Sequence, residues 1–257
     1  MAPIRKGDGT PLEIPGVQEV RSGDGRVFFE DAIPDSVVSQ YLITDDDNSD
    51  TIFDEMQEND LDNNGLTFTS DSDAKSDRYI VADGDQSGAH KIPGDDFTDL
   101  DKLTVTFWTR ATGIGDRAHI IGHADDGAST ASGTFSWIVA GDTDSNVILF
   151  ATSSDSGSFD DGVAEIDQSD VFDGSWHFVA YRFDEGSVTS FLDGGEEASG
   201  TAPDSSIPND GDEFMIAAPS DRDRREYEGD LDDIKFFEDA LTDDEIDNIR
   251  KNHPRSD

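Results

Sequence analysis

The chain has 257 residues, with 60 acidic against 18 basic side chains, a formal net charge of -42 and no cysteine. That length suits one large domain with an appendage, or two ordinary domains. The composition excludes disulfides and thiolate metal sites, and the scarcity of Lys and Arg argues against nucleic-acid binding, which needs cations on phosphates.

Residues 1–36 differ from the rest. Arg5-Lys6-Gly7-Asp8-Gly9 and Arg21-Ser22-Gly23-Asp24-Gly25 repeat sixteen residues apart, and each leads into a short apolar stretch ending at Glu13 or Glu30. Asp-Gly between extended segments marks a hairpin, because the turn needs positive φ. Two small hairpins cannot stand alone. They predict an arm docked on the main domain or on another chain.

Val37–Ile43 reads as a strand, followed by the acidic run Asp45, Asp46, Asp47 and Asp50. Onward from there, short strands are separated by Gly/Asp/Ser-rich turns. The clearest are Leu66–Thr69, Leu103–Thr109, His119–Gly122, Phe135–Ala140, Val147–Ala151, Trp176–Phe183, Val188–Leu192, Glu213–Ala217 and Asp232–Phe237. Leu103, Val105 and Phe107 alternate with Thr, the period of a half-buried strand. Trp176–Phe183 is apolar on both faces and should be covered on both. Many short strands with turn chemistry predict an all-β sandwich.

One helix is well specified. Thr242 with Glu245 three residues on forms a capping box, and Leu241 with Ile246 forms a hydrophobic staple. Acids fill the first turn, Arg250 and Lys251 the last, and Pro254 ends it. The helix is expected to pack on the sandwich edge.

The acids are spread along the chain between apolar strands such as Leu103–Thr109, which argues against an acidic tail or a disordered chain. A fold that needs salt to screen its own repulsion is the better reading. No run approaches the roughly 18 apolar residues of a membrane helix. Met1-Ala2-Pro3-Ile4-Arg5-Lys6 lacks the apolar core of a secretory signal, so release by lysis, within a virus particle, is the expected route outward.

Residues from about 40 to 251 resemble the laminin-G-like, concanavalin A-like jelly roll. The matching pieces are Leu103–Thr109, Trp176–Tyr181, Val188–Gly194, Tyr227–Phe236 and Ala240–Ile246, in the family's order. The resemblance implies an all-β, two-sheet antiparallel jelly-roll sandwich over residues 37–257, closed by the short C-terminal helix. It implies a structural calcium in many members and a glycan site in some. The repeated Gly-Asp-Gly hairpins are similar to attachment segments of tailed-virus fibres and head decorations. With the acidic composition, this suggests a virion surface protein of a virus infecting salt-loving archaea.

Asp60-Leu61-Asp62-Asn63-Asn64-Gly65 fits the opening of a calcium loop, with oxygen ligands at alternate positions, a Gly at the turn and Asp71 where a last carboxylate could sit. The following residues read as a strand, which argues against a helix-flanked loop. In the resembling family calcium joins an early acidic loop to the Leu-Asp-Asp strand, here Asp232 and Asp233, giving the set Asp60, Asp62, Asn64 and Asp232. His119 and His123 lie four apart in what reads as a strand, where that spacing does not make a metal site.

A glycosidase needs two carboxyl groups about 5–5.5 Å or 6.5–9.5 Å apart, and here no acid is singled out, so no catalysis is expected. Trp108, Trp137 and Trp176 lie in apolar strands and are expected in the core rather than on a sugar. Arg222, Arg224, Arg225 and Tyr227 form the densest positive patch. It can be read as local ion pairing with Asp221, Asp223 and Glu226, or as a contact point for an acidic partner. The expected role is a symmetric homo-oligomer, trimer or pentamer, anchored to other virion proteins by its arm and displaying the domain to host glycans or glycoproteins. The alternative is a cell-encoded carbohydrate-binding or adhesion module on a haloarchaeal surface.

Overall fold

The computed structural model describes residues 19–21, 27–29, 34, 36–43, 50–56, 59–84, 87–91, 97–115, 118–124, 135–152, 162–209, 213–218 and 226–253. The first predicted hairpin and Arg222, Arg224 and Arg225 lie outside them. The second predicted hairpin is represented by its strands. β1 (Glu19–Arg21) pairs antiparallel with β2 (Val27–Phe29) as a sheet of its own.

The described remainder is a sandwich of two antiparallel sheets, each of eight strands. One sheet runs β13 (Gly162–Asp167), β12 (Val147–Thr152), β11 (Phe135–Asp142), β10 (His119–Ala124), β17 (Glu213–Ile216), β8 (Gly88–Lys91), β5 (Leu61–Asn64) and β4 (Thr51–Ile52). The other runs β16 (Gly195–Thr201), β15 (Ser187–Leu192), β14 (His177–Asp184), β9 (Lys102–Arg110), β18 (Glu228–Phe237), β7 (Tyr79–Asp83) and β6 (Thr67–Thr69), with β3 (Val37–Tyr41) also on β18. Short α1 (Gln168–Val171) and α2 (Asp243–Lys251) complete it. The expected all-β jelly-roll architecture is present.

Between the sheets the core is aromatic. Trp137 donates its indole N–H to the Phe97 carbonyl at 2.9 Å and stacks on Phe150 with centroids 5.9 Å apart. Phe150 in turn stacks on Tyr181 of the facing sheet, and Phe236 meets Trp137, Phe97 and Phe214. A polar indole so deep in the core needs that one carbonyl, since an unpaired buried donor is costly.

β9 and β14 are apolar on both faces because each face meets something different. Val105, Phe107, Val179 and Tyr181 join the inter-sheet core. Trp108, Phe178 and Ala180 point the other way, with Phe191 and Phe237, and Leu241, Ile246 and Ile249 cover them. The helix therefore lies on the outer face of the sheet rather than on the sandwich edge. The edge was expected because amphipathicity shows which side of a helix is buried and not what it is buried against. The capping box is formed, with Thr242 Oγ1 accepting from Glu245 N and the Glu245 carboxylate accepting from Thr242 N.

β18 carries the one irregularity that shapes the site. Against β9, Asp232 pairs with Trp108 and Lys235 with Thr106, so one extra residue is inserted, and Asp233 takes φ +48. This bulge divides β18's other edge between two partners, Glu228–Leu231 on β7 and Ile234–Phe237 on β3. A bulge bends a strand and re-aims its side chains. Here it buries two consecutive carboxylates, with Asp232 in register with Trp108.

Candidate functional site

At one end of the β9 sheet, four segments surround a cleft of about 450 Å³. The β6–β7 connection supplies Asp73 and Lys75, the end of β9 supplies Arg110, the turn before β14 supplies Ser175 and Trp176, and the exit of α2 supplies His253. Asp73 is the one carboxylate among the described lining residues.

The connection is built by Asp71, whose Oδ1 accepts from Asp73 N at 2.7 Å and Ala74 N at 3.0 Å. Its other oxygen accepts from the Tyr79 hydroxyl at 3.0 Å and faces Arg110. Burial alone would raise the Asp71 carboxyl. The Asp73 amide, the Tyr79 hydroxyl, the Arg110 charge and the Ala74 amide outweigh it and hold the group below its ordinary range. Arg110 is clamped by Asp230, with Nε to Oδ2 at 2.8 Å, and its guanidinium lies 4.9 Å from the Tyr79 ring and 4.7 Å from the Trp176 ring. Tyr79 and Trp176 meet edge to face at 5.4 Å. One wall of the cleft is thus a fixed Tyr–Arg–Trp stack.

The other wall rests on Trp108. The Lys75 ammonium sits 4.4 Å from the centre of its ring, and His253 meets the ring edge-on at 5.4 Å. Burial lowers the Lys75 ammonium's pKa, against the opposing pull of Asp232, Asp73 and Asp193. Burial and the Lys75 charge likewise lower His253, favouring its neutral form. Among the described residues, the buried Trp108 Nε1, Trp176 Nε1 and His253 Nδ1 have no hydrogen-bond partner.

Beneath Lys75, the bulge carboxylates are buried. Asp232 is 0% exposed; its Oδ2 accepts from Lys75 N at 2.7 Å and Ser76 N at 3.0 Å, and its Oδ1 from Asp233 N at 2.8 Å. Burial raises its pKa to about 7, opposed by the Ser76 and Lys75 hydrogen bonds and reinforced by the Asp233 charge. Asp233 pairs with the buried Lys235 ammonium. Asp232 therefore anchors the segment that carries Lys75 to the cleft.

The residues proposed for calcium do not come together. Leu61–Asn64 is strand β5, paired with β4 and β8, rather than a ligand loop. Asp60 Oδ1 accepts from Asp54 N, Asp62 is exposed and Asn64 is half-buried, whereas Asp232 belongs to the facing sheet. The turn at Gly65 is held by Asn63, whose Oδ1 accepts from Leu66 N at 3.0 Å. Among the described residues no group of three or more His, Cys, Asp or Glu side chains could hold a metal ion. As placed, the four residues do not fit one calcium ion.

Tyr227, expected on a contact patch, is instead 0% exposed, with its hydroxyl 2.5 Å from Thr109 Oγ1. Its neighbours in sequence are charged, but its ring belongs to the inter-sheet core. Trp108 and Trp137 are buried as expected. Trp176 is only half-buried and lines the cleft, which its apolar strand context concealed. His119 and His123 are buried in β10, and His177 bridges Asp173 and Asp193. Lys75 and His253 carried no sequence signal, because neither lies in a motif and the cleft joins segments far apart in the chain.

Comparison with known proteins agrees with this architecture. The model of the concanavalin A-like lectin/glucanases superfamily (Laminin_G_3) matches residues 83–247. No match is found among curated protein sequences. Domain 4 of AbnA, an extracellular GH43 arabinanase from Geobacillus stearothermophilus solved with arabinotriose, superposes with a TM-score of 0.58 at 17% identity, over 84% of this chain and 98% of that one. Trypanosoma rangeli sialidase in complex with 2,3-difluorosialic acid gives 0.62 at 10% identity, over 88% of this chain but 34% of that one. The binding domain of Paraclostridial Mosquitocidal Protein 1 gives 0.60 at 13% identity, over 84% and 52%. The chain thus spans about a third of the sialidase and half of the toxin-domain structure. With the two-sheet sandwich and a family match over well more than half its length, the chain belongs to the concanavalin A-like lectin/glucanases superfamily.

Proposed function

We propose that this protein is a non-catalytic glycan-binding module and that the cleft is where the sugar sits. The observation that carries the reading is the half-buried Trp176 beside Arg110 and Lys75 in a cleft of about 450 Å³. A sugar ring offers an apolar face to an indole and hydroxyls to polar groups, and binding sites combine such surfaces in one concavity. A single lining carboxylate supports binding over hydrolysis, which needs a pair. The arabinotriose held by the AbnA domain supports the reading by analogy of fold.

The module is displayed on a virion of a virus of salt-loving archaea, with residues 1–36 as its anchor and a trimeric or pentameric assembly multiplying weak single contacts. What supports this is the acidic composition and the repeated Gly-Asp-Gly segments. The cell-encoded adhesion module is the second reading. The test is calorimetric titration of the full chain with oligosaccharides in several-molar potassium chloride, beside W176A. Saturable binding lost in W176A supports the cleft. Binding unchanged in W176A, or none to any glycan, overturns it. Labelling of purified particles against labelling of host cells decides between the two surfaces.

A further inference from the structure

Lys75 occupies an unusual position for a chain with 60 acidic residues. The other described lysines are all engaged. Lys102 faces Asp184 and Asp239, Lys235 pairs with Asp233, Lys251 with Asp247, and Lys91 donates to Asn59 Oδ1. Among the described residues Lys75 has no ion pair and no hydrogen-bond acceptor for its ammonium, which rests over the Trp108 ring and lines the cleft. Arg110, by contrast, is spent on Asp230 and Asp71.

A half-buried ammonium with no carboxylate in contact carries a cost, because burial removes water that the Trp108 ring and the more distant Asp232, Asp73 and Asp193 charges only partly replace. The segment that imposes this position is held firmly. Asp71 caps it at Asp73 and Ala74, and Asp232 accepts from the Lys75 and Ser76 amides. The cation is therefore held in the cleft by its own backbone rather than drifting to one of the many surface carboxylates.

We infer that the cleft selects sugars carrying a negative charge, a uronate carboxylate or a sulfate ester, with Lys75 Nζ as the anion's partner and Trp176 as the wall for the ring. This rests on the glycan-binding reading and adds the ligand's class to it. A partly buried pair is screened by salt much less than an exposed one, so the preference survives in brine where the protein's general negative field does not.

The experiment uses the full chain in several-molar potassium chloride and three forms of one oligosaccharide: neutral, uronate-bearing and sulfated. The charged forms should bind roughly tenfold more tightly than the neutral one, the scale of one charge-assisted hydrogen bond. K75Q should abolish the difference between charged and neutral forms, and K75R should restore most of the preference. Preference for only one charged form identifies the source of the anion. Equal binding of neutral and charged forms, or a preference that K75Q keeps, overturns the assignment while glycan binding stands. Failure of all three forms and of an unbiased glycan panel overturns the underlying reading instead.

Discussion

Ser76 Oγ lies 2.5 Å from Asp232 Oδ1 and 2.6 Å from the carbonyl oxygen of Arg78. A hydroxyl has one hydrogen, so it cannot donate to both. If Asp232 carries a proton on Oδ1, a chain closes: carboxyl to Ser76, and Ser76 to Arg78. Burial, which raises Asp232 to about 7, favours the same protonated form.

The sign of the pH dependence follows. The folded-state pKa of Asp232 is above its unfolded value, so the folded state binds more protons between the two, and stability falls as pH rises through that window to about 7. Asn mimics the protonated acid and does not titrate. The melting temperature of D232N should therefore fall less than wild type between about pH 5 and about pH 8. Identical pH profiles for the two proteins would mean that Asp232 is ionised in the fold throughout.

His177 acts over an overlapping range by a different route. Burial lowers its pKa, but hydrogen bonds with Asp193 at 2.8 Å and Asp173 at 3.2 Å outweigh that and raise it. Its stabilisation is fully present below the unfolded value and is lost as pH rises through the higher folded value. Following its ring protons by NMR should place the midpoint above an unperturbed histidine's, and D193N should lower it. A midpoint unmoved by D193N would mean that the bridge does not form in solution.

The strands that were legible in the sequence are those whose residues alternate or are apolar throughout, such as β9, β11, β12 and β14. β5 was not, because Asp62, Asn63 and Asn64 have the composition of a ligand loop, and only pairing with β4 and β8 makes them a strand. β16 is an edge strand of Gly, Glu, Ala, Ser and Thr, largely exposed, with no buried face to impose a pattern. The cleft was least legible. Lys75, Trp176 and His253 meet only because the bulge at Asp232–Asp233 anchors one loop and α2 crosses the outer face beside it. Neither device has a periodicity.

Asp54 is a second buried carboxylate without a sequence signal, and it is 2% exposed. It accepts from Ser39 Oγ, Gln40 N, Met56 N and Asn59 N at 2.8–3.1 Å, tying the segment between β4 and β5 to β3. Three of those donors, Ser39 Oγ, Gln40 N and Asn59 N, are buried with it, and of these only the hydroxyl can rotate to another acceptor. D54A leaves the two amides unpaired and should cost about 2–6 kcal/mol, since each stranded buried donor costs about 1–3 kcal/mol. Chemical denaturation in high salt measures this. A loss under about 0.5 kcal/mol, the scale of an ordinary surface substitution, would mean that water replaces the carboxylate at no cost.

The salt response can separate screening from other effects of brine. Of the sixty acidic residues, Asp54, Glu213, Asp232 and Asp233 are buried, and spreading the other 56 over 11967 Å² of surface leaves about 210 Å² each, a spacing of about 15 Å. At 0.1 M the Debye length of about 10 Å lets neighbours at that distance repel, and at 1 M a length of about 3 Å does not. If mutual repulsion sets the salt requirement, the melting temperature should climb steeply with potassium chloride up to about 1 M and then level off. Sucrose, which acts by exclusion from the surface and screens nothing, should not reproduce that first rise. A melting temperature that climbs as steeply above 1 M as below it would assign the requirement to ion hydration at the carboxylates, because by then there is no repulsion left to screen.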